Sequence, residues 1–420
     1  MNVSRRTLLA SGAALGLLTA CGSNTGRDGG GSGGSGPKLS QWYHQYGEAG
    51  TEQAVKRYAA AYDEADVSVQ WRPGNYDEQT AAALLTASGP DVFEVNGPTL
   101  DQIRGGQVVD LTDLFDGGVR DDFDPVVLAP KTHDGRIWSI PQVVDTQVLY
   151  YRKSLLSDAG RTPPRTLDEL VDTARELTTD RTMGLFFGND GGAGALGGTP
   201  LYAAGLRLVT DDGRVGFDDP AAARALAALR TLYEDKSLLL GAPSDWSDPS
   251  AFVQELTAMQ WSGLWALPAV QKAFGDDFGV LPFPAAGPAG KPAVPVGAYG
   301  AAVSARSAHK EEAKDFVKWL WIDRTEYQRD FALSYGFHIP ARLSLAKKAD
   351  ALTEGAAADA VRHTTRHGYA EPLLWTPASR VAYQDALSRI IKSGANPESE
   401  LRSVVRKVSA ELDRVQKKSS

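Results

Sequence analysis

Apolar and polar residues change rhythm repeatedly along this chain, and each change marks an element. In TEQAVKRYAAAYDEA, Val55, Tyr58, Ala59 and Tyr62 fall at helical spacing, and the VSVQWR that follows alternates Val67, Val69 and Trp71 as a half-buried strand does. The pattern recurs: NYDEQTAAALLTAS predicts a helix ending near Gly89, PDVFEV a short strand, and TLDQIRGG a helix stopped by Gly105 and Gly106. From Ile137 a long apolar stretch, IWSIPQVVDTQVLYYRKSLLSDAG, is interrupted by Asp145. Thr166 with Glu169 three residues on forms a capping box that opens the helix LDELVDTARELT. MGLFFG reads as a buried strand running into the glycine-rich loop GNDGGAGALGG, and Asp218 or Asp219 before Pro220 starts the next helix. HKEEAKDFVKWLW keeps Ala313, Phe316, Val317 and Leu320 on one face. Strands alternating with helices predict an α/β fold with a largely parallel sheet.

Aromatic residues depart from this pattern in four places. LSQWYHQYGEAG, residues 39–50, crowds Trp42, Tyr43, His44 and Tyr46 into five positions at the end of the first strand. Strand alternation puts Trp42 and His44 on one side and Tyr43 on the other. AMQWSGLWALPAV sets Trp261 and Trp265 around Gly263, PVGAYGAAVSA holds Tyr299 between Gly297 and Gly300, and EPLLWTP carries Trp375. Rings flanked by glycine or proline at strand ends are loop-borne, and such loops are where α/β proteins bind ligands.

Catalytic and metal signatures are scarce. HExxH, GxSxG and GxxxxGK[ST] do not occur, and of six dispersed histidines only His363 and His367 share helical i,i+4 spacing, without an evident third ligand. Neither a metal nor a cofactor is expected. Asp145, Glu48, Asp190 and Glu94 are candidate acids for a glycoside hydrolase, an alternative that needs two of them across a scissile bond.

Composition narrows the field further. A net charge of -8 over 420 residues, with lysine and arginine scattered, gives no footprint for nucleic acid. Arg5 and Arg6 precede an apolar run from Leu8 to Leu18, too short to span a bilayer, and Cys21 is the only cysteine. SRRTLL resembles a twin-arginine export signal and LTAC a bacterial lipobox. Residues 1–20 are therefore expected to be removed, leaving Cys21 lipid-modified and the protein anchored to the outer face of the cell membrane without spanning it. Residues 21–37, rich in glycine and serine, read as a flexible tether with a reach of about 20 Å. The remaining ~380 residues suit two domains better than one core.

PDVFEV, IPQVVDTQVLYYRKSLLSDAG, PPRTLDELVDTARELT, AMQWSGLWALPAV, GVLPFPA, GAYGAAVSARSAHKEEAKDFVKWL and GFHIPAR stand in the order seen in extracellular solute-binding proteins of family 1, the carbohydrate receptors of ABC importers. The chain resembles that family over its whole length after the tether. The resemblance implies a two-lobed, periplasmic-binding-protein-like fold of type II, hinged around a central cleft. It divides the chain into residues 38–147 with 297–345 and residues 148–296 with 346–420. It implies a monomer that delivers a sugar to a membrane permease, and several rings spread over both lobes point to a sugar of two or more units. Asp145 then falls where the family keeps a ligand for sugar hydroxyls near the lobe crossing, and Trp265, in SGLW, becomes the stacking platform. Asn189 and Asp190 sit in a second-lobe loop, Tyr299 adds a ring to the cleft, and Arg342 binds ligand or braces the hinge. Trp42, Tyr43, Tyr46, Glu48, Asn96 and Trp375 complete the candidate ligand-binding set. A receptor for a peptide or polyamine would share the fold.

Overall fold

The computed structural model describes residues 36–417, so the export signal, Cys21 and most of the tether lie outside the described residues. In chain order the strands are β1 (Lys38–His44), β2 (Asp66–Arg72), β3 (Val92–Val95), β4 (Thr132–His133), β5 (Arg136–Ile137), β6 (Ile140–Pro141), β7 (Val143–Arg152), β8 (Met183–Phe186), β9 (Thr257–Gly263), β10 (Phe278–Leu281), β11 (Val294–Gly297), β12 (Gly300–Val303), β13 (Ile339–Pro340) and β14 (Gly368–Tyr369). They form two principal sheets. The first runs β2-β1-β3-β12-β6; the second runs β14-β11-β7-β9-β8, with β10 and β13 also pairing to β7.

The alternating pattern produces a three-layered first lobe. β1 lies between β2 and β3, parallel to both, so helices cover both of its faces. Tyr43, Val92, Val303 and Leu39 point into a core completed by Phe316, Leu320 and Trp321. Trp42, Phe93 and Ala302 point the other way, against Leu84, Ile103 and Trp138. Strand alternation thus separates Trp42 from Tyr43 as expected, yet neither side of β1 faces solvent. β2, at the edge, is only half-buried, as its alternation indicated.

The second sheet has a core on each face as well. Leu149, Met259, Trp261 and Leu185 meet the helices Leu167–Leu177, Pro220–Glu234 and Pro377–Ser393 on one side. Val148, Tyr150, Leu264 and Val296 pack with Phe278 and Ala360 on the other. Local signals were sound at helix starts. Thr166 Oγ1 accepts from the Glu169 amide at 3.2 Å in a complete capping box, and Asp219 accepts from the Ala221 amide at 2.7 Å before Pro220. The helix expected to end near Gly89 stops at Ala83, where the chain breaks into turns.

Three segments carry the chain between the sheets. β6 belongs to the first and β7, two residues on, to the second; β11 and β12 are split the same way across Ala298 and Tyr299; and β13 returns the chain from the first-lobe helices onto β7. The lobes also touch away from these crossings. Leu373 packs against the Trp42 cluster, and Arg414 of the C-terminal helix reaches Asp101 at 3.2 Å.

Candidate functional site

Each crossing delivers one chemically active side chain to the same place. Asp145 stands on β7 opposite Gly297, Tyr299 fills the turn between β11 and β12, and His338 immediately precedes β13. His338 Nδ1 lies 2.7 Å from Asp145 Oδ1, and its Nε2 lies 3.4 Å from Glu48 Oε1. Glu48 comes from the loop between β1 and the helix Thr51–Ala60, so one imidazole joins a first-lobe loop to the central crossing strand. The imidazole is nearly enclosed, 7% exposed, between carboxylates 13% and 22% exposed. Burial alone would lower the His338 pKa, but Asp145 and Glu48 reverse this and lift it to about 9.

A second pair lies beside the first. Glu94, in the strand PDVFEV, is 1% exposed; its Oε2 sits 2.8 Å from His44 Nδ1 and accepts from the His44 amide at 3.1 Å. Its Oε1 accepts a 2.6 Å hydrogen bond from the Tyr46 hydroxyl. The His44 ring is stacked on Tyr299 at 4.2 Å and tilted against Tyr46 at 3.8 Å. Burial works against the charged His44, and the Glu94 carboxylate overrides it, holding the imidazole above its ordinary pKa. Behind these pairs Lys131, 1% exposed, donates to the carbonyls of Asn96 at 2.9 Å and Ala298 at 2.7 Å, fastening the end of β3 to the β11–β12 crossing. Burial pushes its ammonium down to about 7 against the upward pull of Asp145. Asn96 Oδ1 accepts from the Ala298 amide at 3.1 Å, and the Asn96 side chain is exposed.

The second lobe contributes indoles. Trp265 follows β9, half-exposed, with its Nε1 donating to the Ser247 carbonyl at 2.8 Å and its ring centre 6.3 Å from that of His338. A Cβ on Gly263 would fall about 2.0 Å from the Trp265 ring, so glycine at 263 is what lets the indole lie over the backbone. Trp246 meets Trp265 edge-on, centroids 6.0 Å apart.

Of the residues expected at the site, the structure gathers Tyr46, Glu48, Asp145, Tyr299, Trp265 and Asn96 around the crossings. The others are elsewhere, for identifiable reasons. Tyr43 is fully buried in the first-lobe core, its hydroxyl taking a 2.9 Å hydrogen bond from Gln41. Trp42 is buried on the opposite face under the Arg72 guanidinium, 3.7 Å from the ring centroid. Trp375 sits in the second-lobe core against Phe217 and Tyr383. Arg342 pairs with Asp122 at 2.7 Å and donates to the Ile322 carbonyl at 2.9 Å, a brace and not a cleft residue. Asp190 spends both oxygens on the amides of Gly192 and Gly194, and Asn189 ties down the loop around Ser244. Sequence reasoning did not assign Glu94, His44, His338 or Trp246 to the binding set. The strand VFEV did carry a signal, since an acid inside an otherwise apolar buried strand must have partners.

The arrangement offers acceptors beside rings. His338 engages Oδ1 of Asp145 and Oε1 of Glu48; the second oxygen of each carboxylate makes no protein hydrogen bond among the described residues. Among those residues, no three His, Cys, Asp or Glu side chains gather to hold a metal ion. Two open depressions, one lined by Thr325, Arg329 and Asp350 and the other by Arg120, Phe123 and Leu343, lie apart from this group of side chains.

Two α/β lobes joined by three crossings, with a polar and aromatic cluster where they meet, define a hinged ligand-binding protein. Residues 48–320 match the model of the bacterial extracellular solute-binding protein family, and the chain belongs to that family. The diacetylchitobiose binding protein DasA of Streptomyces coelicolor is 28% identical over 393 residues, covering 88% of this chain and 89% of its own. Among solved structures, an ABC transporter solute-binding protein from Thermotoga lettingae bound with α-D-tagatose superposes with a TM-score of 0.76 at 21% identity, covering 90% of this chain and all of its own. The GacH receptor of Streptomyces glaucescens, solved unliganded and with acarbose, gives 0.73 at 24% identity, covering 91% and 98%. These similarities show the two-lobed fold. No described helix is long and apolar enough to cross a membrane.

Proposed function

We propose that this protein captures a saccharide of two or more units outside the cell and hands it to the permease of an ABC importer. The observation that carries the reading is that Asp145 and Glu48 each engage His338 through one oxygen and keep the other unbonded among the described residues, in a cluster where Trp265 lies 6.3 Å from His338 and Tyr299 stacks on His44. Sugars present apolar C–H faces that stack on rings and hydroxyls that seek directed acceptors. A relative that binds diacetylchitobiose and a structural neighbour solved with acarbose support the same substrate class. In this reading residues 38–147 with 297–345 move against residues 148–296 with 346–420. Sugar favours the closed state because both lobes then touch it. The protein acts as a monomer without turnover, tethered by a lipid on Cys21 after export by the twin-arginine route. Replacing Cys21 with serine would move it from the membrane to the soluble fraction; retention at the membrane would rule out that anchor.

The test is a thermal-shift screen of the purified protein against chitooligosaccharides, maltooligosaccharides and galactooligosaccharides, with peptides and polyamines as controls. A ligand at a hundred times its dissociation constant stabilises the folded state by about 2.7 kcal/mol, enough to move the melting point. A shift with a peptide or polyamine and with no saccharide would overturn the reading. Release of shorter sugars from any bound glycan would point instead to a hydrolase.

A further inference from the structure

We infer that Trp246 is a second aromatic contact for the saccharide, that it serves units beyond the first, and that Asn189 is its positioning residue. The inference rests on the sugar-binding reading and extends the binding wall past Trp265. Trp246 lies on the loop that follows Gly241, half-exposed, with part of its ring packed on the second-lobe core, and it is the third ring in a series of contacts that runs from His338 through Trp265. From His338 to Trp265 the ring centres are 6.3 Å apart, and from Trp265 to Trp246 they are 6.0 Å apart. The two indoles meet at 63°, so they form a corner and not a plane.

A half-exposed indole on a surface loop would ordinarily be mobile, because ordering a loop costs conformational entropy that few contacts repay. Here the loop is fastened from three directions. The Asn189 amide donates to the carbonyls of Ala242 at 3.1 Å and Ser244 at 3.3 Å, while its Oδ1 accepts from the Ala242 amide at 2.7 Å. Gln260, 1% exposed on β9, donates to the carbonyls of Trp246 at 3.2 Å and Asp248 at 2.8 Å. Trp265 itself donates to Ser247. Asp245 completes the fastening by accepting from the amides of Asn189 at 3.1 Å and Trp246 at 2.8 Å. Gly188, at φ +113°, lets the loop close in, since a Cβ there would fall 2.9 Å from Asp245 and 3.5 Å from the Trp246 Cβ.

The polar network holds the backbone on both sides of Trp246, and the contacts of the ring with Trp265 and the second-lobe core set the direction of the indole. Binding sites need that rigidity, because a ring already in place loses no rotamer freedom when the ligand arrives. Asn189, expected from the sequence to touch sugar, would thus act one step removed. On this inference the first unit sits at Asp145 and Trp265, and the unit that follows it meets Trp246.

The experiment is calorimetric titration of wild type, W246A, W246F, N189A and the double variant N189A/W246A with a saccharide series of one to four units. The series is drawn from whichever sugar wild type binds. W246A should weaken the longer ligands roughly tenfold, as loss of one aromatic contact does, and leave the monosaccharide unchanged. W246F should recover most of that loss. N189A should weaken the same long ligands, and the double variant should bind no worse than W246A alone, because Asn189 acts through the ring. Melting points without ligand, and retained monosaccharide binding, separate misfolding from a lost contact. If W246A binds every member of the series as wild type does, the inference falls while the sugar-binding reading stands. If the losses for N189A and W246A add, the positioning role of Asn189 falls. If wild type binds no saccharide at all, the sugar-binding reading falls and takes this inference with it.

Discussion

Replacing His338 with asparagine should remove a pH-dependent share of stability, and the structure fixes its sign. The folded imidazole titrates near 9, and in the unfolded chain it returns to its ordinary 6.5. Below about pH 6.5 both states hold the proton and the contribution is complete. As pH climbs through 9 the folded state releases the proton and the contribution disappears. The rise from 6.5 to about 9 corresponds to about 3 kcal/mol for this group enclosed by two carboxylates. Lys131 works in the opposite sense. Its folded pKa of about 7 lies below the ordinary 10.5, so the unfolded state binds more protons between those values and stability rises with pH. His44, raised by Glu94, has the sign of His338.

The wild-type stability curve therefore sums opposing slopes and would be nearly uninformative alone. Subtracting the His338→Asn curve isolates the His338 term, because Lys131 and His44 titrate in both proteins. Urea unfolding of the two proteins without ligand, at pH 6 and at pH 10, should show wild type ahead at pH 6 by about 3 kcal/mol more than at pH 10. A gap of the same size at both values would mean that His338 carries no buried charge, and the account of the Glu48–His338–Asp145 link would fail.

Two tryptophans separate binding from folding. Trp265→Ala should weaken saccharide binding by roughly 1–3 kcal/mol with little change in the ligand-free melting point. Trp375→Ala, a truncation in the second-lobe core, should cost about 3–5 kcal/mol of stability and leave affinity alone once folded. Calorimetry and urea unfolding on both variants check the pair, and an affinity loss confined to Trp375→Ala would reverse the assignment. Arg342→Ala should destabilise by about 1–3 kcal/mol, because the Ile322 carbonyl and Asp122 each lose a buried donor. Unchanged unfolding would remove the brace.

How far the fold was legible follows from which signals are local. Capping at Thr166 and Asp219, the edge strand at 66–72 and the apolar face of the helix Lys310–Lys318 each depend on neighbours within a few residues, and each appears as the sequence indicates. The first strand shows the limit. Period-2 alternation correctly sets Trp42 against Tyr43, but alternation says only that two faces differ. Whether one is wet depends on which strand lies next door, and β1 is an inner strand, covered on one face by the helices Tyr76–Ala83 and Leu100–Arg104 and on the other by Thr51–Ala60, Lys310–Lys318 and Thr325–Leu333. Two rings read as ligand contacts were core for that reason, and the same holds for Trp375 within its own lobe.

The site was legible where a single residue carries it and illegible where a pair does. Asp145 stands out as the one acid between Ile137 and Tyr151, and the glycines around Trp265 and Tyr299 mark loop-borne rings; these are properties of short strings. Glu94 acquires its place through His44 and Tyr46, about fifty positions earlier, and His338 through Asp145 and Glu48, nearly two hundred and nearly three hundred earlier. A buried carboxylate is tolerable only with such a partner, so each acid in a buried strand is in effect a statement that a partner exists, without naming it. For Asp145 the crossings supply the partner: they are the only backbone common to both lobes among the described residues, and Asp145 and His338 stand at two of them. A histidine immediately before a strand that returns to the central crossing, as in GFHIP, is thus better placed to be functional than any of the four rings that drew attention at the start of the chain.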